Sequence, residues 1–298
     1  MRVMIEAAIL ATISARLDAA LTGHRPPAHA LRVDGHAVGF VDGLRAARLG
    51  RFPDLFRRDG DDLVLADGLA TAEARSAALD GAARALAAEG ALTAWRGERY
   101  AVRTSFDAPP LFHLERAAAR YFGIHTFAAH ANGLVFGPAG APPRMWLARR
   151  SPHKAIDPGL LDNLVGGGIA AGFRVDQTVV KEAWEEAGIP APLARAARPA
   201  GVVHSRKPTV DGLQRETIFV HDLALPPDFI PANQDGEAVE HRLVGLDAAA
   251  RMIAQPAGPD EISLDASLVV LDYLVRNGTL QPDQPGYCNV AALLHRPP

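Results

Sequence analysis

The chain is short of cysteine, of lysine and of long apolar runs. Its single cysteine, Cys288, excludes an internal disulfide, and there is no cysteine cluster for structural zinc. That usage fits a reducing compartment, and a cytoplasmic protein is expected. No apolar run approaches the ~20 residues that a membrane-spanning helix needs. A net charge of −3 over 298 residues provides no global pull toward nucleic acid or acidic membranes, and no basic stripe is interleaved with aromatics. Internal repeats and long low-complexity tracts are also missing. What is present is a 48% hydrophobic content, enough for a globular chain with a real core and long enough for two ordinary domains.

Ile5, Ile9, Ile13, Leu17 and Leu21 recur every fourth residue, while Glu6, Arg16 and Asp18 interrupt them. This predicts a core-facing amphipathic helix rather than a targeting segment. Extended segments are expected at 37–41 and 63–65, each bordered by Asp-Gly turns. A helix follows over 71–88, with Leu79, Ala82, Ala83 and Leu86 on one side and Gly90 as its stop. Residues 95–102 read as extended. A proline-containing joint at 106–110 marks the boundary between an N-terminal α+β domain, 1–110, and a second domain, 111–298. That second domain is expected to open on a helix at 111–120. Strands at 127–136 and 144–148, a glycine-rich loop at 166–172 and a helix come next, then strands at 201–204, 216–221 and 241–246 and a closing helix at 265–276. Strands and helices mix without regular βαβ alternation, so the fold class is α+β.

The chemistry concentrates in residues 166–189. Asp176 is placed to cap the helix and Gly188 to end it in a left-handed conformation. Val179, Val180, Ala183 and Ala187 share one face; Glu182, Glu185 and Glu186, at spacings of three and four, share roughly the opposite one. Three carboxylates this close repel one another, and a hard divalent cation with a preference for oxygen removes the conflict. The glycines before the helix let a phosphate or a metal approach the backbone. A solvated Glu-rich face is common, and so is a glycine loop; it is their combination at this spacing that points to chemistry. No Gly-Lys-Ser/Thr follows the glycines, so this is not a Walker loop, and nothing near Ser205 resembles a nucleophile elbow. His130 and His204 lack metal-ligand spacing and are expected to be packed or surface residues, and Trp184 to be a packing residue.

The stretch resembles the Nudix box, with Gly167, Glu182, Glu185, Glu186, Gly188 and Ile189 in the positions of that signature. Phe173 stands where the signature has its first Glu, and Lys181 where it has Arg. The segments 149–154 and 158–168, with 122–124, 130–133, 222–229 and 233–237, resemble a Nudix subgroup related to the domain fused to thiamine pyrophosphokinase. The resemblance implies a Nudix fold, a mixed sheet packed between helices, preceded by the small N-terminal domain. It also implies a pyrophosphohydrolase of thiamine diphosphate or an oxidised analogue. Mg²⁺ is the implied cofactor, with Mn²⁺ as a substitute, held by Glu182, Glu185, Glu186 and the carbonyl of Gly166. Glu182 is the first candidate base and Glu237, in an Asp-Gly-Glu turn, the second, with Glu186 as a further catalytic carboxylate. Arg149, Arg150 and Lys154, with Gly167 and Gly168, are the candidate substrate-binding residues. The partner is a small-molecule diphosphate; a homodimer is left open. Two alternatives stand beside this reading: hydrolysis of another nucleoside diphosphate derivative, and a metabolite-binding module whose catalysis was lost with the Phe173 and Lys181 departures.

Overall fold

The computed structural model describes residues 5–22, 29–138, 141–255 and 257–298. The first part of the chain runs α1 (Ala7–Thr22), β1 (His29–Val33), β2 (His36–Val41), α2 (Gly43–Leu49), β3 (Phe56–Asp59), β4 (Asp62–Leu65), α3 (Ala72–Ala88), β5 (Arg99–Val102), β6 (Phe112–Glu115) and α4 (Arg116–Ala119). Four strands form a sheet in the order β2-β1-β4-β3, and β5 pairs with β6. Thr71 caps α3, its hydroxyl accepting from Ala74 N at 3.2 Å, an arrangement worth about 1 kcal/mol. The helix expected at 111–120 is instead a strand followed by one short helical turn. Phe112 and Leu114 alternate into the core opposite β5, with Leu114 facing Tyr100, and this period of two overrides helical propensity.

The second part runs β7 (His125–Val135), β8 (Arg144–Arg150), β9 (Leu161–Asn163), β10 (Val165–Gly168), α5 (Val175–Ala187), α6 (Ala191–Ala194), β11 (Arg198–Thr209), β12 (Gly212–Leu225), β13 (Ala238–Gly245), α7 (Leu246–Ala254), α8 (Leu264–Arg276) and α9 (Tyr287–Leu294). Its sheet has the order β11-β12-β7-β8-β13, with β10 added to β7 and β9 to β8. Alternate residues of β7 face opposite layers. Phe127, Ala129 and Ala131 pack with Val179 and Ala183 of α5, whereas Ala128 and Leu134 pack with Val269 and Leu271 of α8. Helix α8 is buried almost all round, as suits the centre of a layer.

Two expectations are corrected by packing. Gly166, Gly167 and Gly168 do not belong to a loop. They form β10, antiparallel to β7, with Gly166 opposite His130. Helix α1 leaves the N-terminal unit: Leu10, Ile13 and Leu17 join Leu246, Ile253 and Val290 in the core of the second sheet, since an apolar stripe goes where a complementary face is free. The N-terminal unit meets the segments that flank β7 and β10 backbone to backbone, with Phe40 N donating to Gly123 O at 3.2 Å and Ala171 N to Arg99 O at 2.7 Å.

His125, at the start of β7, sits in this junction with its Nε2 2.8 Å from Thr217 Oγ1. Burial, then Arg215, then His204 pull its imidazole down to about 4. The unfolded chain takes up this proton near pH 6.5. Stability contributed by neutral His125 is therefore complete above pH 6.5 and is lost as pH falls toward 4, by about 3 kcal/mol across the window. Denaturant titrations at pH 7 and pH 4.5 check this. The wild type should lose more stability between them than His125→Asn does, and equal losses would disprove the assignment.

Candidate active site

Helix α5 begins after Arg174, whose backbone N–H is capped by Gln177 Oε1 at 3.0 Å. Asp176, the expected cap, lies instead inside the first turn and pairs with the Arg174 side chain. The helix ends on Gly188 at φ 63°, where a Cβ would also stand 2.7 Å from Ala232 O. Between those ends the apolar side packs on β7 and β10, which draws two of the glutamates inward with it. Glu182 and Glu186 are both buried, at 8% exposure each. Gly166 N donates to Glu186 Oε2 at 2.8 Å. Gly167 lies so close to Glu182 that a Cβ there would stand 2.4 Å from its carboxyl carbon. Each β10 glycine is thus required by a different side chain: Gly166 by the His130 ring, Gly167 by Glu182 and Gly168 by the Tyr100 hydroxyl.

Burial, then Glu182, then Asp162 push the Glu186 carboxyl well above its ordinary value, against the opposing pull of the Gly166 N–H and Lys154. Burial likewise raises Glu182, with Lys181 opposing. This conflict among Glu182, Glu186 and Asp162 is what a hard divalent cation with oxygen ligands relieves, so the donor set fits Mg²⁺. Among the described residues no three His, Cys, Asp or Glu side chains form a ready metal cluster. Lys181 donates to Glu182 Oε1 at 3.1 Å and to Glu185 Oε2 at 2.7 Å. It spans two glutamates as a point charge in place of a guanidinium fork.

Beside the glycine strand lies a cavity of about 110 Å³, and Arg116, Arg120 and Arg150 line both it and a neighbouring recess of about 60 Å³. Lys154 and Arg96 enter the recess, and both hold Glu237, Arg96 from 3.1 Å. Burial, then Arg150, pull the Lys154 ammonium down to about 8, while Glu186 opposes the fall.

A family model described as the NUDIX domain matches residues 126–264, and one described as a domain of unknown function (DUF4743) matches 17–126. Nudix hydrolase 24, chloroplastic, of Arabidopsis thaliana is 35% identical over 87% of this chain and 70% of its own length. The chain belongs to the Nudix hydrolase family. Nudix hydrolase 20, chloroplastic, of the same plant is 34% identical over 87% of this chain and 70% of its own. The NUDIX domain of Shewanella oneidensis NrtR, solved with ADP ribose, is 14% identical, with a TM-score of 0.40 over 52% of this chain and 90% of that one.

The protein is therefore a Nudix hydrolase acting on diphosphate bonds, and its mixed sheet between helices is the Nudix fold preceded by the DUF4743 unit. The cytoplasmic expectation is corrected by the two plant relatives, whose names place them in the chloroplast. One unpaired cysteine does not tell one reducing compartment from another. The Nudix helix gathers Glu182, Glu186, Gly166 and Gly167, while Glu185 is turned outward onto Lys181. Arg150 lines the cavity with its guanidinium fixed by Asp162 at 2.7 Å and by Ile156 O. Arg149 is spent elsewhere, on Glu240 at 2.6 Å and Gly159 O at 2.9 Å. Trp184, expected to pack, is 52% exposed. Local spacing gave no sign of Tyr100, Arg116 and Glu216 in the cavity, because distant chain segments bring them there. His130, expected to be packed or at the surface, is buried, bonded to Asn163 at 2.8 Å, and lines the same cavity.

Proposed function

We propose that this Nudix hydrolase cleaves thiamine diphosphate, or an oxidised analogue of it, in an Mg²⁺-dependent reaction that yields the monophosphate and inorganic phosphate. The observation that supports this most is the junction of β10 with α5, where Glu186 is bonded to Gly166 and Glu182 is pressed on Gly167, next to Lys154 and Arg150 in the adjoining recess. The thiamine assignment rests on the subgroup resemblance of residues 149–168.

Glu182, Glu186 and the backbone of Gly166 would hold Mg²⁺, with Glu185 as the outer member on Lys181. Bound there, Mg²⁺ or Mn²⁺ neutralises charge on the diphosphate oxygens and acidifies a water. Lys154 and Arg150 take the diphosphate, for which their charges are already gathered. Gly167 and Gly168 let it lie against the backbone. Glu182, on the strand side of the helix, accepts the proton of the attacking water. The water oxygen bonds to one phosphorus, the bridging P–O bond breaks, and the departing phosphate leaves with the electron pair. Glu237 is the weaker candidate base, since Lys154 and Arg96 already occupy its two oxygens. Its part is to position those cations.

The test is phosphate release from a panel of diphosphates containing thiamine diphosphate and its oxidised forms, with and without Mg²⁺. Mg²⁺-dependent release that favours the thiamine compounds is expected. Cleavage of other diphosphates with the thiamine compounds untouched would reject the substrate. Lys154→Met should raise KM about tenfold at pH 7, as loss of a charge-assisted contact to phosphate does. Wild-type KM should climb as pH passes about 8 and the ammonium discharges, while that of the variant stays flat. A flat wild-type profile would remove Lys154 from diphosphate binding.

A further inference from the structure

The two neighbouring recesses differ in charge. The recess of about 60 Å³ gathers Arg96, Arg116, Arg150 and Lys154. The cavity of about 110 Å³ shares Arg116 and Arg150 with it but is also lined by Gln214, Glu216 and Asp265. There Gln214 Nε2 donates to Asp265 Oδ2 at 2.8 Å and to Glu216 Oε2 at 3.3 Å, and Thr126 Oγ1 donates to Glu216 Oε1 at 3.0 Å. Gln214 is only 6% exposed, yet its Oε1 has no partner, whereas Asp265 faces the buried Ser205 hydroxyl and the Lys207 ammonium. A buried acceptor without a donor costs about 1–3 kcal/mol. The free Gln214 Oε1 is placed to meet a donor from outside the protein. The N-terminal unit closes the other side: Tyr100 lies so near Gly168 that a Cβ there would stand 2.1 Å from its hydroxyl, and Arg116 reaches both recesses. In scale, a cavity of about 150 Å³ holds a benzene ring. The larger recess, at about 110 Å³, thus has the scale of one small ring, and the smaller one gathers the cations that suit a phosphate.

We infer that this cavity recognises the donor-bearing heterocyclic end of the diphosphate substrate, with Gln214 Oε1 and the neighbouring Glu216 carboxylate accepting from an amino or ring N–H group and the N-terminal unit, through Tyr100 and Arg116, completing the site. The inference rests on the diphosphate hydrolase reading above and adds the part of the substrate that the Nudix helix does not touch. It gives the DUF4743 unit a direct share in specificity. Glu216 and Tyr100 act in binding and take no part in the bond-breaking step.

Calorimetry on the full chain without metal tests this apart from catalysis. The probes are thiamine monophosphate, adenosine monophosphate and inorganic phosphate. Wild type is expected to bind at least one of the two amino-ring monophosphates about tenfold or more tightly than inorganic phosphate, the gain of one good buried hydrogen bond. Glu216→Gln should erase most of that margin and leave inorganic phosphate binding where it was. Tyr100→Phe, which keeps the ring packing, should narrow the margin and serves if Glu216→Gln does not fold. Three results would overturn the inference: no ring preference in wild type, equal weakening of all three probes, or a margin that survives in each folded variant. Failure of the thiamine reading looks different, because adenosine monophosphate would then carry the margin alone. Failure of the hydrolase reading would appear only in turnover.

Discussion

Glu186→Gln is expected to lower turnover by about 10²–10³-fold, as loss of a charge that organises the transition state does, and yet to melt above the wild type when no metal is added. The two effects have one cause. Glu186 is buried, and Glu182 and Asp162 push its carboxyl well above the ordinary range. Ionising this group in the folded chain therefore costs stability. A raised acid contributes this loss progressively as pH rises from the unfolded value through the folded one. Glutamine keeps the bond from Gly166 N and removes the charge. For a chain of this order each kcal/mol relieved raises the melting temperature by about 2–4 °C. Calorimetric melting at pH 7.5 beside phosphate release checks both halves. A variant that melts lower than wild type would show that the carboxylate conflict is already compensated within the protein.

Gly167→Ala should be nearly as damaging, by a different route. Its Cβ would stand 2.4 Å from the Glu182 carboxyl carbon, so helix side chain and strand cannot both stay in place. A displacement of about 1 Å at a reacting group is enough for a 10²-fold loss of turnover. Overpacking should also cost about 1–3 kcal/mol of stability. The double variant Gly167→Ala/Glu182→Ala separates the effects. Stability should return, because room has been made, while activity should not. If the double variant is as unstable as the single one, the clash lies elsewhere.

The Nudix helix was legible because its evidence is local. Spacings of three and four residues place glutamates on one side whatever the rest of the chain does, and Gly188 marks the end of the helix by a conformation that favours glycine. What was misread depended on partners far away in the chain. Three consecutive glycines suggest a loop until β7 is known to pair with them. Residues 111–120 hold both helix formers and an alternating Phe112 and Leu114, and only the presence of β5 decides between them. Arg149 and Arg150 are neighbours of identical chemistry, but a strand sends adjacent side chains to opposite faces, one to Glu240 and the other to the cavity. The acidic side of the cavity had no local signature, since Gln214 and Glu216 come from β12 and Asp265 from α8.

The packing of α1 also bears on how the chain is made. Its partners α7 and α9 lie at the other end of the sequence, so a helix that leaves the ribosome early stays unpartnered until nearly all of the chain has followed. Its apolar stripe of Leu10, Ile13 and Leu17 is buried only through contacts of very long sequence separation, the kind that slow folding. A fragment cut at residue 111 would carry the whole Nudix box and still lack one wall of its own core, with Leu246, Ile253 and Val290 laid open to aggregation.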